Sequence, residues 1–167
     1  MMLAYVMTPE RGETDLLLTA LAHRLLAEGR AVVAAVQSNQ DCETAPGCDM
    51  DLAILPDGPV IRISQNLGPE SKGCKLDAGA LEQAVEQVSQ RMAGARALIL
   101  NKFGKHEAEG RGFRTLIGQA LADGLPVLLG VNARNAVAFQ EFAGEMAAEL
   151  PADPVVLTDW LAERMIP

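Results

Sequence analysis

The amino-acid sequence predicts an α/β fold with a mainly parallel sheet sandwiched by helices, because short apolar runs alternate with amphipathic segments along its 167 residues. Hydrophobic residues make up 49% of the chain but aromatic residues only 4%. Strands rich in Ala, Leu and Val without polar alternation are typical of parallel sheets, which are buried on both faces. The length predicts a single domain over residues 1–167.

The first half of the chain contains a strand, a helix, a second strand and a hairpin. Residues 3–7 and 31–37 are apolar enough for buried strands, and the helix between them has leucines at i, i+4 and i+8. Thr14 is the predicted N-cap of this helix and Gly29 its C-terminal stop. A Pro-Asp-Gly turn predicts an inserted antiparallel hairpin over about 50–65.

The second half continues the alternation of helices and strands. Its predicted elements, in chain order, are a helix over 78–93 capped by Asp77, a strand over 95–101, a helix ending near Gly124, a strand over 125–131, a helix over 135–148, a strand over 153–157 and a short C-terminal helix. Trp160 in that last helix is expected to pack inward.

Composition excludes several classes of function. The formal net charge of -8 argues against a nucleic-acid-binding protein, because such surfaces attract phosphates through clustered Lys and Arg. The chain has no signal sequence and no apolar run long enough to span a bilayer, so we expect a cytoplasmic protein without membrane insertion. Three cysteines without a Cys-x-x-Cys pair predict neither a disulfide framework nor a metal site.

Polar clusters follow four of the predicted strands. They occupy residues 8–15, 37–41, 101–107 and 131–135, and the second of them begins with Gln37. Because ligands of open parallel sheets bind outside the carboxyl ends of the strands, we expect a ligand site where these loops meet.

The first of these clusters stands where a nucleotide-binding protein has its phosphate loop. Against the pattern G-x-x-x-x-G-K-[ST], the stretch MTPERGETDLLL places Gly12 and Thr14 correctly but has Glu13 at the lysine position. Gly12 and the helix N-terminus suit an anion, whereas Glu10, Glu13 and Asp15 oppose a triphosphate. A ligand loop and a simple N-capped helix with acids in its first turn both remain open.

The stretch LILNKFGKHEAEGRGFR, residues 98–114, is the most unusual of the chain. It follows a buried strand with Asn101 and Lys102 and then supplies several charged side chains around glycines. Lys105 and Arg111 are suited to hold a phosphate or another oxyanion, and Glu107 is suited to orient them or to take a proton. A buried strand does not require such a sequence after it, so we interpret this segment as part of a site.

A glycine-containing loop at 67–77 adds a thiol between lysines. Cys74 lies between Lys72 and Lys75, and neighbouring positive charge lowers a thiol pKa, which suits a ligand contact. The alternative is that Cys74 only fills a turn as a small apolar residue. If Cys74 and Lys75 contact a ligand, we expect them to close the site from the hairpin side.

Three stretches together resemble the bacterial domain-of-unknown-function family 2478 over nearly the whole chain: GETDLLLTALAHRLLAEGRAVVAAVQ, SKGCKLD and NKFGKHEAEGRGFR. Members of that family look like relatives of P-loop nucleoside triphosphatases, and some are associated with ATP-binding components of molybdenum transporters. The resemblance implies a P-loop NTPase-like fold and a role near molybdate or molybdenum cofactor metabolism.

A more distant resemblance is to the thermophilic nucleoside-triphosphate phosphatases, which end a strand with Asp-Glu-Ile-Gly-Lys-Met-Glu. In that comparison Asn101 replaces the magnesium-supporting Asp and Lys102 replaces the acid suited to activate water, while Gly104, Lys105 and Glu107 are retained. The phosphate loop thus has an acid, Glu13, where the pattern has a lysine, and the end of the strand has Lys102 where the phosphatases have an acid. We hypothesise that these two side chains pair.

The sequence favours a non-hydrolytic, P-loop-derived protein that binds a small anion or a nucleotide-like ligand, because phosphoryl transfer needs Mg²⁺ and cationic stabilisation. Ordinary ATP or GTP hydrolysis is not expected. Two alternatives remain open: a nucleoside-triphosphatase or nucleotide kinase-like enzyme in which Lys102 and Lys105 rebuild the site and Glu107 and Lys105 are catalytic, and a regulatory partner of a transporter or cofactor enzyme. No metal site and no particular cofactor is predicted. The expected ligand-binding residues are Gly12, Glu13, Thr14, Gln37, Cys74, Lys75, Asn101, Lys102, Lys105, Glu107 and Arg111.

Overall fold

A computed structural model describes residues 1–10, 12–39, 50–65 and 76–165. They form seven strands and six helices. The strands are β1 (Leu3–Val6), β2 (Val32–Asn39), β3 (Met50–Leu55), β4 (Val60–Arg62), β5 (Ala97–Leu100), β6 (Val127–Gly130) and β7 (Ala147–Leu150). The helices are α1 (Glu13–Ala27), α2 (Ala78–Ser89), α3 (Lys105–Ala108), α4 (Arg114–Ala122), α5 (Ala136–Ala143) and α6 (Pro154–Arg164).

The strands form one sheet in the order β4-β3-β2-β5-β6-β1-β7. Strands β2, β5, β6, β1 and β7 run parallel, whereas β3 pairs antiparallel with both β2 and β4. The predicted mainly parallel sheet with an inserted hairpin is therefore confirmed. The hairpin extends the sheet directly, because β3 pairs with β2 along six residues of each strand.

Helices cover both faces of the sheet, as predicted. One face packs against α1 and α6 through Leu18, Leu25 and Trp160, and the inward packing of Trp160 is confirmed. The opposite face packs against α2, α4 and α5, with side chains such as Leu81 and Phe139. The two cores share no residue, because successive side chains of a strand point to opposite faces.

Several predicted boundaries hold and have a visible cause. Gly29 has φ +77°, and the N–H groups of Gly29 and Arg30 donate to the carbonyls of Leu26 and Leu25, so α1 ends in a Schellman motif. Asp77 caps α2 by accepting from the N–H of Ala80. This helix ends at Ser89, four residues before the predicted end.

Two local predictions are wrong. Gly12, with φ +80°, is the N-cap of α1 in place of Thr14, which lies inside the first turn. Residues 153–157 are not a strand, because Asp153 caps α6 and Pro154 occupies its first turn. The last strand is instead β7, which begins at the end of the predicted helix 135–148, extends two residues beyond it and pairs with β1.

Candidate functional site

The phosphate-loop position joins β1 to α1, and two of its hydroxyl groups are bonded to each other. The Oγ1 atoms of Thr8 and Thr14 lie 2.7 Å apart. Glu13 is exposed, and Gly12 precedes it in the left-handed conformation. The hydroxyl at the position that binds Mg²⁺ in phosphate loops therefore already has a partner within the chain.

A hydrogen bond connects this loop to the end of β5. The Nδ2 atom of Asn101 donates to Oδ1 of Asp15. The hypothesised pair of Glu13 and Lys102 is wrong, since these two exposed side chains form no ion pair with each other. A neutral amide that meets an acid thus bridges the two loops in place of a charge pair.

Gly130 allows the two loops to approach each other at the end of β6. A Cβ atom at this position would lie 2.1 Å from the carbonyl oxygen of Asn101 and 2.9 Å from Cγ2 of Thr14. The N–H of Phe103 also donates to the carbonyl of Gly130 at 2.8 Å. Only glycine fits here, because any side chain would push the β5 loop away from the start of α1.

A cavity of about 430 Å³ lies on the other side of Asn101, at the carboxyl edge of β2 and β5. Its apolar part comes from the sheet face that also packs against α2 and α4. The side chains that form this part are Ala35, Met50, Leu52, Ile63, Leu76, Leu81, Leu100 and Phe113. The volume lies within the usual range of small-molecule pockets.

The polar part of the cavity gathers five of the predicted site residues. They are Gln37, Asn101, Lys102, Lys105 and Glu107. Gln37, Asn101 and Glu107 are almost fully buried, with 6%, 3% and 4% of their surfaces exposed. The sequence interpretation of residues 101–107 as one cluster beside Gln37 therefore agrees with the geometry.

Four other predicted site residues, which the structure describes, do not line this cavity. Gly12, Glu13 and Thr14 belong to the phosphate-loop side, as described above. Arg111 is exposed and donates to Glu109, which lowers the pKa of that carboxyl group. Cys74 and Lys75 lie outside the described residues.

Glu107 is a buried acid with an unusual environment. Burial raises its pKa from the ordinary value of 4.5 to about 7, although the N–H groups of Glu107 and Gly104 and the charge of Lys102 act in the opposite direction. Its Oε2 atom has no hydrogen-bond partner among the described residues. A Cβ at Gly112 would lie 2.6 Å from this oxygen, so the glycine makes room for the carboxyl group.

Cations surround the mouth of the cavity. Lys102, Lys105 and Arg134 are exposed and line it, together with the half-buried His106. Lys105 approaches Glu109 only at 3.9 Å, and no carboxylate in the described part of the chain forms an ion pair with Lys102 or Arg134. The mouth is therefore positive in a chain of net charge -8.

The sequence analysis missed some of these residues individually. Arg134 and Asn132 lie in the predicted polar loop 131–135, where Asn132 caps a 3-10 turn over Ala133–Asn135 by accepting from the N–H of Asn135. The sequence signal that could have identified Asn132 and Arg134 is their position within that polar loop. Leu52 and Phe113 also line the cavity, but no signal in the sequence indicates this. A buried apolar residue has the same sequence pattern whether or not a cavity lies beside it.

Neither a membrane-spanning helix nor a metal-binding cluster is present among the described residues. No helix there is long and apolar enough to cross a bilayer. No group of three or more His, Cys, Asp or Glu side chains within those ranges is arranged to hold a metal ion. The candidate site therefore consists of the cavity and its cationic mouth.

The family described as "Protein of unknown function (DUF2478)" matches residues 3–160. The chain belongs to this family. A curated relative is the Molybdenum import ATP-binding protein ModC 2 of Bradyrhizobium diazoefficiens, which is 32% identical over 160 residues. That match covers 94% of this chain but only 18% of the relative, so the chain spans less than a fifth of the length of the curated protein.

Two solved structures share the fold of this DUF2478 member. THEP1 from the hyperthermophile Aquifex aeolicus has a TM-score of 0.63 at 17% identity, and the match covers 98% of this chain and 99% of that one. A human cancer-related nucleoside triphosphatase has a TM-score of 0.63 at 14% identity, with 96% and 94% covered. The predicted P-loop NTPase-like α/β fold and its likeness to the thermophilic phosphatases are confirmed.

Proposed function

We propose that this DUF2478 domain is a non-hydrolytic binding protein that takes a small anionic or nucleotide-like ligand in the cavity beside the end of β5. The observation that carries the proposal is the position of this cavity at the carboxyl edge of the sheet, where ligands of such folds bind. Asn101, Lys102, Lys105 and Glu107 supply its polar groups.

The phosphate-loop side supports binding without hydrolysis. Phosphoryl transfer depends on Mg²⁺ and on cations that stabilise the transferred group. Here Glu13 occupies the position of the phosphate-binding lysine, Thr14 is bonded to Thr8, and Asn101 is bonded to Asp15. A triphosphate with Mg²⁺ would have to displace these contacts and approach two acidic side chains.

Two measurements on the purified protein test this proposal. Isothermal titration with nucleotides, inorganic phosphate and molybdate should detect at least one ligand, and the variant Lys102→Glu should weaken its binding. Phosphate release from ATP or GTP with Mg²⁺ should not exceed that of buffer alone. Absence of all binding would overturn the proposal, and so would phosphate release that Lys105→Ala abolishes, since this would favour the enzyme alternative.

A second candidate function is a partner module of a molybdenum transport system. It is favoured by the curated relative, a molybdenum import ATP-binding protein that contains a segment similar to nearly all of this chain. In this proposal the domain binds its ligand and, in response, contacts the transporter or a cofactor enzyme. Analytical ultracentrifugation with a purified molybdenum import ATP-binding protein should detect a complex that Lys102→Glu alters, and a failure to form any complex would remove this candidate.

A further inference from the structure

The cavity combines an apolar interior with a positive mouth, and this combination restricts the ligand beyond the proposed function on which the inference rests. A bare inorganic oxyanion needs cations and N–H donors but no apolar surface. An uncharged apolar molecule needs no cations. We propose that the ligand is an amphipathic organic anion, with a flat heteroaromatic body in the cavity and a phosphate or carboxylate group at the mouth.

The sheet supplies a flat floor for such a body. Ala35 of β2 lies directly opposite Leu100 of β5, and Gln37 lies opposite Leu52 of β3. Ala35 is the smallest side chain of this set and is 1% exposed, so it forms part of the cavity floor between the two leucines. A flat ring in the cavity would face this floor.

The helices supply the opposite wall. Leu81 of α2 and Phe113 at the start of α4 line the cavity and are almost fully buried. A ring between this wall and the sheet would lose most of its contact with water, which is the main source of affinity for an apolar group. The interior thus selects for organic ligands over phosphate or molybdate.

The mouth supplies the charge. Three exposed cations line the cavity: Lys102, Lys105 and Arg134. Because they are exposed, they lie at the solvent side of the cavity and not in its apolar interior. The one acid among the described residues that line the cavity is Glu107, and burial raises its pKa to about 7, so that its negative charge is reduced near pH 7. An anionic group at the mouth therefore meets three cations, of which Lys105 also lies 3.9 Å from Glu109.

Calorimetric titration of the full chain with GMP, AMP, guanosine and inorganic phosphate tests this inference. GMP or AMP should bind at least about tenfold more tightly than guanosine and than phosphate, because only the monophosphates have both parts. If phosphate binds as tightly as GMP and AMP, the amphipathic ligand is wrong while the proposed function stands. If none of the four compounds binds but ATP, GTP or molybdate does, the amphipathic ligand is wrong and the proposed function stands, whereas absence of binding for all of them means that the proposed function itself fails.

Two substitutions locate the bound monophosphate. Ala35→Leu should place a larger side chain in the cavity floor and reduce monophosphate affinity at least about tenfold, with circular dichroism checking that the fold is kept. Lys102→Glu, at an exposed position, should reduce it about tenfold as well. The matched control is Arg96→Glu, since Arg96 is also exposed but stands before β5, at the opposite edge of the sheet. Equal effects of Lys102→Glu and Arg96→Glu would overturn the assignment of the mouth.

Discussion

The two sides of Asn101 differ in whether their polar groups have partners within the chain. On the phosphate-loop side, Thr8 bonds to Thr14 and Asp15 accepts from Asn101. On the cavity side, Oε2 of Glu107 and Oδ1 of Asn101 have no partner among the described residues, and Lys102 and Arg134 form no ion pair there. Buried polar groups without partners cost free energy, so the polar groups of the cavity side are satisfied less well within the chain than those of the phosphate-loop side.

In the proposed function, the fold keeps its topology while the ligand binds in a space next to the phosphate loop. The loop between β1 and α1 retains its glycine and threonine, but these residues serve the contacts between loops. The cationic groups are instead on the β5 and β6 loops.

Substitution of the cavity-side glycine should cost more than substitution of the loop-side glycine. Gly112 has φ +60° and faces Glu107, so Gly112→Ala adds both a left-handed strain and a steric conflict, together about 3 to 4 kcal/mol in free energy of unfolding. Gly12→Ala, at φ +80° with open space around it, should cost only about 1 kcal/mol. Urea denaturation of both variants measures the difference, and equal costs would contradict the described packing of Glu107.

Glu107 should make stability depend on pH. Its pKa is raised from 4.5 to about 7 in the folded protein, so the folded state holds a proton that the unfolded state has lost between these values. The contribution of Glu107 to the free energy of unfolding is therefore most favourable below pH 4.5. It falls by at most about 3 kcal/mol as pH rises to about 7. Glu107→Gln should remove this decrease, as the difference between wild-type and variant urea curves at each pH will reveal. Parallel curves would show that Glu107 titrates normally.

The hydrogen bond between Asn101 and Asp15 should give a measurable coupling energy. A double-mutant cycle of Asp15→Ala and Asn101→Ala should give a coupling energy of about 1 to 2 kcal/mol, as expected for a hydrogen bond to a charged group. The cycle cancels the other contacts of Asp15. A coupling close to zero would mean that the two loops are held together by packing at Gly130 alone.

Salt should weaken ligand binding modestly. The cations at the mouth are exposed, so raising NaCl from about 50 to 500 mM should reduce GMP affinity by a fewfold only. Arg134→Gln should lower this salt dependence, as titrations at both salt concentrations will show. A salt-independent affinity would place the phosphate group away from Lys102 and Arg134.

The sequence predicts the fold well because the strands and helix ends carry local signals. Gly29 and Asp77 mark ends that the structure keeps, and the apolar runs mark β1, β2, β5 and β6. The prediction of a strand over 153–157 is wrong because Asp153 and Pro154 together are a signal for the start of a helix. Strand β7 lacks such a signal, since AAEL becomes a strand only by pairing with β1.

The site is predictable in part for a similar reason. Asn101, Lys102, Lys105 and Glu107 are close in sequence, so their clustering follows from one loop. The hydrogen-bond partner of Asn101 could not be predicted in this way. Asp15 lies 86 residues away in the sequence, and only the packing at Gly130 brings Asp15 near Asn101. Charge complementarity alone suggested Glu13 and Lys102, although the geometry of the loops separates them.

The location of a bound nucleotide distinguishes the cavity from the phosphate loop as the binding site. Backbone amide shifts of the ¹⁵N-labelled protein, followed by NMR during titration with GMP, should change most at residues 101–107 and 132–135 and remain constant at 12–16. Shifts concentrated at 12–16, with the cavity residues unchanged, would show that the phosphate loop still binds the ligand and would contradict the account.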